Sequence, residues 1–302
     1  RKVFTPEHRQ TALDMARRSI VLLKNENNML PLQKGRYKKI FVTGHNADNQ
    51  STLGDWSFEQ PEENVSTILE GIKAADPDAH VDYQDVGRNV QGLAILVVGE
   101  NSMRYHWKEK TCGENSDRYE LSLPGRQQQL VEAVAATGVP TIVVLVNGRP
   151  LSVEWISDHI PAVIEAWEPG LCGGQAVGEI LYGKVSPSAK LPVTIPRSVG
   201  QTGCYYNHKY CAYRFPYATG KTSPLYEFGF GLSYTTFKYS NPRLSASSIS
   251  ATDSVRVSVD VTNTGTVDAE EVPQLYIRDD YSSATRPVKE LKGFERIFLR
   301  AG

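Results

Sequence analysis

Four short, nearly continuous apolar runs constrain this chain more than any other feature: residues 39–44 (KIFVTG), 93–99 (LAILVVG), 141–147 (TIVVLVN) and 162–167 (AVIEAW). A strand with one wet face alternates polar and apolar residues, whereas a run without alternation is covered on both faces. Segments of helical spacing separate the runs: 65–75 with Asn64 as its cap, 124–137 with Pro124 near its start, 153–157, and 174–182. Ahead of them, residues 6–23 place Ala12, Met15, Ala16, Ile20 and Leu23 at near-helical intervals behind Thr5 as N-cap. Lys24 and Asn25 then end that helix, where a cation is favourable. Strands alternating with helices predict a mainly parallel α/β/α sandwich.

The pattern changes near Ser233. Residues 254–261 (SVRVSVDV) alternate with period two, NTGT supplies a turn, and 272–278 (VPQLYIR) form a further strand. This is the signature of an antiparallel β-sandwich. Such domains need about 100 residues, and residues 234–302 fall short of that, so the sandwich reads as truncated. The expected division is therefore 1–233 for the α/β domain and 234–302 for a partial β domain.

Charge and composition remove several function classes. The formal net charge is −1, with no basic run of the kind that binds nucleic acid. No apolar stretch approaches the ~20 residues that cross a bilayer. The chain lacks C-x-x-C, HExxH, a Walker-type loop and GxGxxG, which argues against a zinc site and against a nucleotide-binding α/β domain. Cys204 and Cys211 lie close in sequence and are either a local disulfide or two reduced thiols; a disulfide would favour an oxidising compartment.

In parallel sheets the functional groups sit on loops beyond the carboxyl ends of strands. Three such loops stand out, residues 46–64, 101–123 and 168–173, and the first two exceed the usual βα length of 2–6 residues. They carry GDWS at 54–57 and GENSDRYELSLPGRQ at 113–127. Elsewhere stand ARRSIVLLKNENNMLPL at 16–32, AILVVGE at 94–100, VLVNGRPL, EAWEPGLCGGQAVGEILYGKVSPSAKLPVTIPRSVGQ, YEFGFGLSYTTF ending at Phe237, and RPVKELKGF at 286–294.

Read in order, these stretches closely resemble glycoside hydrolase family 3 of the β-glucosidase type. The likeness spans essentially the whole chain, and the last block resembles the fibronectin type III-like domain of many members. The resemblance implies a retaining exo-β-glycosidase that acts on β-glucosides or oligosaccharides in a periplasmic or secreted setting. No metal or organic cofactor is implied. It also implies an N-terminal TIM-barrel-like domain bearing the nucleophilic Asp; nothing in this chain matches that domain.

Residue by residue, the resemblance places the general acid/base at Glu114, in GENSDR, and an aromatic wall of the leaving-group subsite at Trp56, in GDWS. Trp107 is a further candidate sugar contact. Retaining glycosidases need two carboxyl groups about 5–5.5 Å apart, so one carboxylate on a long loop is half a site. Glu100, at a strand end, is the second candidate acid/base or else a structural contact there. Asp117 and Arg118 read as a loop-ordering pair. His45 reads as structural, and Gly170, Gly173 and Gly174 as a tight turn into a helix. Tyr205, Tyr206, Tyr210, Tyr213, Phe215 and Tyr217 read as a loop packing on the core rather than a sugar-binding strip. A β-xylosidase or β-N-acetylglucosaminidase is the neighbouring alternative; GENSDR is of the Glu type, which argues against the latter. For the isolated chain, a non-catalytic sugar-binding or accessory module is the alternative from another class.

Overall fold

The computed structural model describes residues 3–84, 90–201, 203–209 and 217–302, with the side chain of residue 105 left aside. The long apolar runs form strands where expected: β2 (Lys39–Thr43), β4 (Leu93–Gly99), β5 (Thr141–Val146) and β6 (Ala162–Glu165). With β1 (Val21–Asn25) and β3 (His80–Tyr83) they make one six-stranded sheet in the order β1-β6-β5-β4-β2-β3. Every pairing is parallel except β1 against β6.

Side chains alternate across this sheet into two apolar layers. Ile40, Ile95, Ile142 and Ile164 face α1 (Pro6–Ser19), α2 (Ile68–Ala75) and α5 (Gly173–Leu181). Phe41, Leu96, Val143 and Val163 face α3 (Gln127–Ala135) and α4 (Glu154–His159). Both faces are dry, which is why the strands could be apolar throughout.

Two expectations are corrected. The helix predicted over 6–23 stops at Ser19, and Val21–Asn25 leaves it as edge strand β1. Val21, Leu22 and Leu23 are all buried there, two on one face of the sheet and one on the other. A helix would have turned part of that run to water. Lys24 therefore caps no helix: its Nζ donates to the Ser157 carbonyl at 2.6 Å and pairs with Glu26 at 3.1 Å. The second correction concerns α2, whose cap is Thr67 and not Asn64. Thr67 and Glu70 satisfy each other's backbone N–H groups in a reciprocal capping box.

Glycine sets the spacing of α2 on α5. A Cβ at Gly71 would lie 1.8 Å from the Gly174 carbonyl oxygen, and one at Gly178 would lie 2.2 Å from that of Gly71. Gly170 turns the chain into α5 with φ +78, as expected.

The C-terminal part forms three two-stranded antiparallel ladders: β7 (Phe237–Leu244) with β8 (Val257–Asn263), β9 (Ala269–Glu271) with β12 (Ile297–Leu299), and β10 (Gln274–Ile277) with β11 (Glu290–Phe294). Glu270 anchors them to the α/β part, accepting from Arg18 at 2.7 Å and Arg296 at 3.1 Å. Lys190 pairs with Glu271 at 3.2 Å in the same seam. Tyr206 stacks on Phe228 at 4.1 Å and meets Tyr276 edge-on at 6.0 Å. Tyr205 and Tyr217 are exposed, while Tyr210, Tyr213, Phe215 and Cys211 lie outside the described residues, and with Cys211 goes the pairing considered for Cys204.

Candidate active site

The chain leaves β2 toward β3 on one side of the sheet, and leaves β4 toward β5 and β6 on the other. The crevice beyond the carboxyl ends of β2 and β4 is thus the topological switch point, where open parallel sheets hold their functional groups. The loops at 44–64 and 100–123 rise on either side of it and meet.

Their meeting point is Asp55. Its Oδ2 accepts the backbone N–H of Glu114 at 2.7 Å and pairs with Lys110 Nζ at 2.9 Å, while Oδ1 lies 3.5 Å from Arg104. Lys110 has a side chain only 1% exposed, and it also donates to the Glu114 carbonyl at 2.9 Å. Burial by itself would raise the Asp55 carboxyl. The bonds from Lys110 and from the backbone N–H groups of Glu114 and Trp56 outweigh it and hold the group below the usual carboxylate range. The loops approach this closely because Gly113, at φ +93, has no Cβ; one built there would stand 2.6 Å from Asp55.

Around this anchor the structure gathers all three residues singled out from the sequence. The Glu114 carboxyl is 48% exposed, with Oε2 3.8 Å from Arg104. Trp56 follows Asp55 directly, is 66% exposed, and carries the Arg104 guanidinium 3.8 Å above its ring. Trp107 is 54% exposed and has Lys110 Nζ 5.2 Å from its ring centre.

Glu100 takes the structural role. Its side chain is sealed from solvent and paired at 3.1 Å with both Arg118 and Arg149. Those two arginines stitch down the 100–123 loop: Arg149 donates to the Ser116 carbonyl at 2.8 Å, and Arg118 to the Ser122 carbonyl at 2.8 Å. The loop-ordering pair expected between Asp117 and Arg118 is thus replaced by Arg118 with Glu100, because the buried carboxylate offers the stronger, less screened partner. Asn101 closes the base of the excursion, its N–H donating to Thr111 Oγ1 at 2.9 Å and its carbonyl accepting from the Thr111 N–H at 2.7 Å. His45 is exposed on the way out of β2, and its carbonyl accepts from Asn49 at 2.7 Å.

Two carboxyls beneath the loops, the buried Glu165 and the half-buried Glu168, were not singled out by the sequence. Glu165, at the end of β6, is completely buried, and burial pushes its pKa up to about 8 against the N–H of Trp167 and the amide of Asn147. Glu168 lies against Gly54, Gly148 and the Cys112 thiol, which donates to its Oε1 at 3.7 Å. Burial raises it, with repulsion from Glu100 and Asp55 adding to the effect and the bonds from Ser102 and Cys112 opposing it. Cys112 is pushed up to about 12 by burial and by the Glu100 and Glu168 carboxylates, which disfavours the reactive thiolate. Both glutamates stand in EAWEPG, where nothing in the local pattern announces that they turn inward under two distant loops.

An α/β/α sandwich with its exposed carboxyl and indole groups on loops over the switch point, followed by antiparallel β ladders, defines the class. Residues 20–234 match the glycosyl hydrolase family 3 C-terminal domain, and the chain belongs to that family. Residues 271–302 match the fibronectin type III-like domain. Over 99% of its length the chain is 40% identical to a β-xylosidase of Formosa agariphila, and over 98% it is 36% identical to a periplasmic β-glucosidase of Salmonella typhimurium. It spans 44% of the length of each. Among solved structures, a β-glucosidase from Listeria innocua in complex with isofagomine superposes with a TM-score of 0.88 at 29% identity, over 99% of this chain and 44% of that one. A β-glucosidase from Erythrobacter marinus gives 0.86 at 35% identity over the same shares.

Proposed function

We propose that these residues are the part of a retaining exo-β-glycosidase that carries the general acid/base, Glu114, and the leaving-group subsite, with Trp56 as its aromatic wall and Trp107 beside it. One observation carries this reading: Glu114 offers a solvent-reachable carboxyl from a backbone fixed at the Asp55 carboxylate, next to an exposed indole face. Residues 1–233 form the unit that brings this loop to the cleft, and residues 234–302 belong to a fibronectin type III-like domain.

In the first step Glu114 gives its proton to the glycosidic oxygen as the bond from that oxygen to the anomeric carbon breaks. A carboxylate then holds the anomeric carbon covalently. In the second step the Glu114 carboxylate takes a proton from the water that displaces the enzyme carboxylate. That nucleophile belongs to a TIM-barrel-like domain outside these 302 residues; Asp55 is committed to Lys110 and the Glu114 N–H and is unsuited to attack. The indole face supplies apolar area for the C–H face of the departing sugar. The isolated chain would accordingly be an inactive half-site.

Terminal β-D-glucosyl residues are the substrate of first choice, given the β-glucosidases among its relatives. The Formosa agariphila enzyme, at 40% identity, favours β-xylosides as the second reading. The periplasmic relative supports an exported protein.

The test is hydrolysis of p-nitrophenyl β-glucoside and β-xyloside by this chain and by the full-length gene product, together with Glu114→Ala in the latter. Loss of general acid catalysis should cost about 10²–10⁴-fold on poor leaving groups, much less on activated aryl glycosides, with partial rescue by azide. Wild-type rates on both kinds of substrate would overturn the assignment.

A further inference from the structure

Arg104 touches both the indole and the carboxyl of the site. It opens the short 3-10 segment Arg104–Glu109 on the loop after β4, yet its guanidinium lies 3.8 Å over the ring of Trp56, on the loop after β2. The same group reaches Asp55 at 3.5 Å and Glu114 Oε2 at 3.8 Å.

We propose that Arg104 is a positioning residue that couples the leaving-group platform to the proton donor, by clamping Trp56 in place and holding the Glu114 carboxyl against it. The proposal rests on the reading of Glu114 as acid/base and goes beyond it.

Three observations support it. Trp56 adopts φ +61, a left-handed conformation that costs a non-glycine residue about 1–2 kcal/mol. An indole 66% exposed is not held there by burial, and the Arg104 guanidinium lies over its ring. A stacked guanidinium contributes about 0.5–2 kcal/mol, depending on desolvation, which is the required size.

Arg104 is a loose partner of Asp55. The Lys110 ammonium and the Glu114 N–H occupy Oδ2, while Arg104 Nη1 and Asp55 Oδ1, 3.5 Å apart, are both buried without a hydrogen bond. What remains distinctive is its planar face on Trp56 with a charge directed at Glu114. Lysine could reproduce the charge but not the stacked plane.

The coupling has a kinetic consequence. A leaving-group sugar pressing on Trp56 bears, through Arg104, on the orientation of Glu114, so recognition and protonation of the leaving group are linked. A substrate with an activated aryl leaving group, which needs little proton donation, escapes the link.

The experiment compares Arg104→Lys, Trp56→Phe and the double variant in the full-length gene product, on a disaccharide and on a dinitrophenyl glycoside of the preferred sugar. Each single variant should raise KM on the disaccharide about tenfold and lower kcat several-fold, with a smaller loss of kcat on the aryl glycoside, which needs little proton donation. The double variant should be no worse than the poorer single one. In this 302-residue chain, Arg104→Lys should alter tryptophan emission, and the same change in a Trp56→Phe background should leave it unaltered. Additive losses, equal losses on both substrates, or an emission change that persists without Trp56 would overturn the proposal. Failure of the Glu114 reading would show separately, as wild-type kinetics of Glu114→Ala with the emission difference intact.

Discussion

The carboxylate of Asp55 accepts the backbone N–H of Glu114 at 2.7 Å, across 59 residues of sequence. A side chain beyond β2 thereby fixes the main chain of the residue that presents the exposed carboxyl beyond β4. The bond fastens the loop through its main chain and does not engage the Glu114 carboxyl. The charge-assisted form of such a bond contributes about 1.5–3 kcal/mol.

Replacing Asp55 by Asn keeps an acceptor for that N–H but strands Lys110, whose side chain is 1% exposed. Leaving one member of a buried pair unpartnered costs about 3–5 kcal/mol. Asp55→Asn should therefore lower the urea midpoint of the chain, and Asp55→Asn with Lys110→Met should recover most of it. In the full-length gene product both variants should lose about 10²-fold on poor leaving groups through displacement of Glu114. Full activity in the stabilised double variant would show that Asp55 does not position the loop.

Glu100 is a brace, so its loss should be read in stability. Glu100→Gln leaves Arg118 and Arg149 facing a neutral amide at the base of the 100–123 loop. The expected loss is about 3 kcal/mol or more by denaturant unfolding. A change under about 1 kcal/mol would mean that solvent reaches the pair and that the seal seen here is not maintained.

Glu165 makes a prediction about pH. Burial raises its folded-state pKa to about 8, above the value of an unfolded glutamate, so the folded chain binds more protons. Stability from this group is then fully present below about pH 4.5 and is lost as pH rises toward 8. The swing has an upper bound of about 5 kcal/mol. Glu165→Gln should flatten the stability profile between those limits and be the more stable form at pH 8. Parallel profiles for the two proteins would refute the assignment.

The contact of α2 with α5 tolerates no side chain at Gly71, where a Cβ would meet the Gly174 carbonyl oxygen at 1.8 Å. Gly71→Ala gains helix propensity of about 1 kcal/mol but must push the helices apart. A net loss of about 1–3 kcal/mol is expected. An unchanged or raised Tm would show that the two helices can separate without penalty.

Much of this was legible in the chain itself. The central strands announced themselves because both faces of the sheet are dry, and α5 and its preceding turn followed from glycines at fixed places. Strand β1 was not legible: Val21, Leu22 and Leu23 continue a helical spacing, and only the open edge beside β6 makes an extended run the better way to bury all three. The short ladder strands β9 and β12 were likewise silent, since three residues carry no period, and their pairing spans the distance from Glu271 to Ile297.

The sequence by itself determined the α/β order, the two long loops beyond β2 and β4, and the candidates Glu114, Trp56 and Trp107 as residues of those loops. Period, punctuation and motif are local properties, and a sequence displays them directly. Only the tertiary structure decided that Asp55 holds Glu114, that Arg104 covers Trp56, that Arg118 turns from Asp117 to Glu100, and that Glu165, buried, and Glu168, half-buried, turn in beneath. Those are contacts between segments far apart in the chain. They exist because the switch point brings two loop bases side by side and because Gly113 lets them touch; neither condition leaves a trace in neighbouring residues.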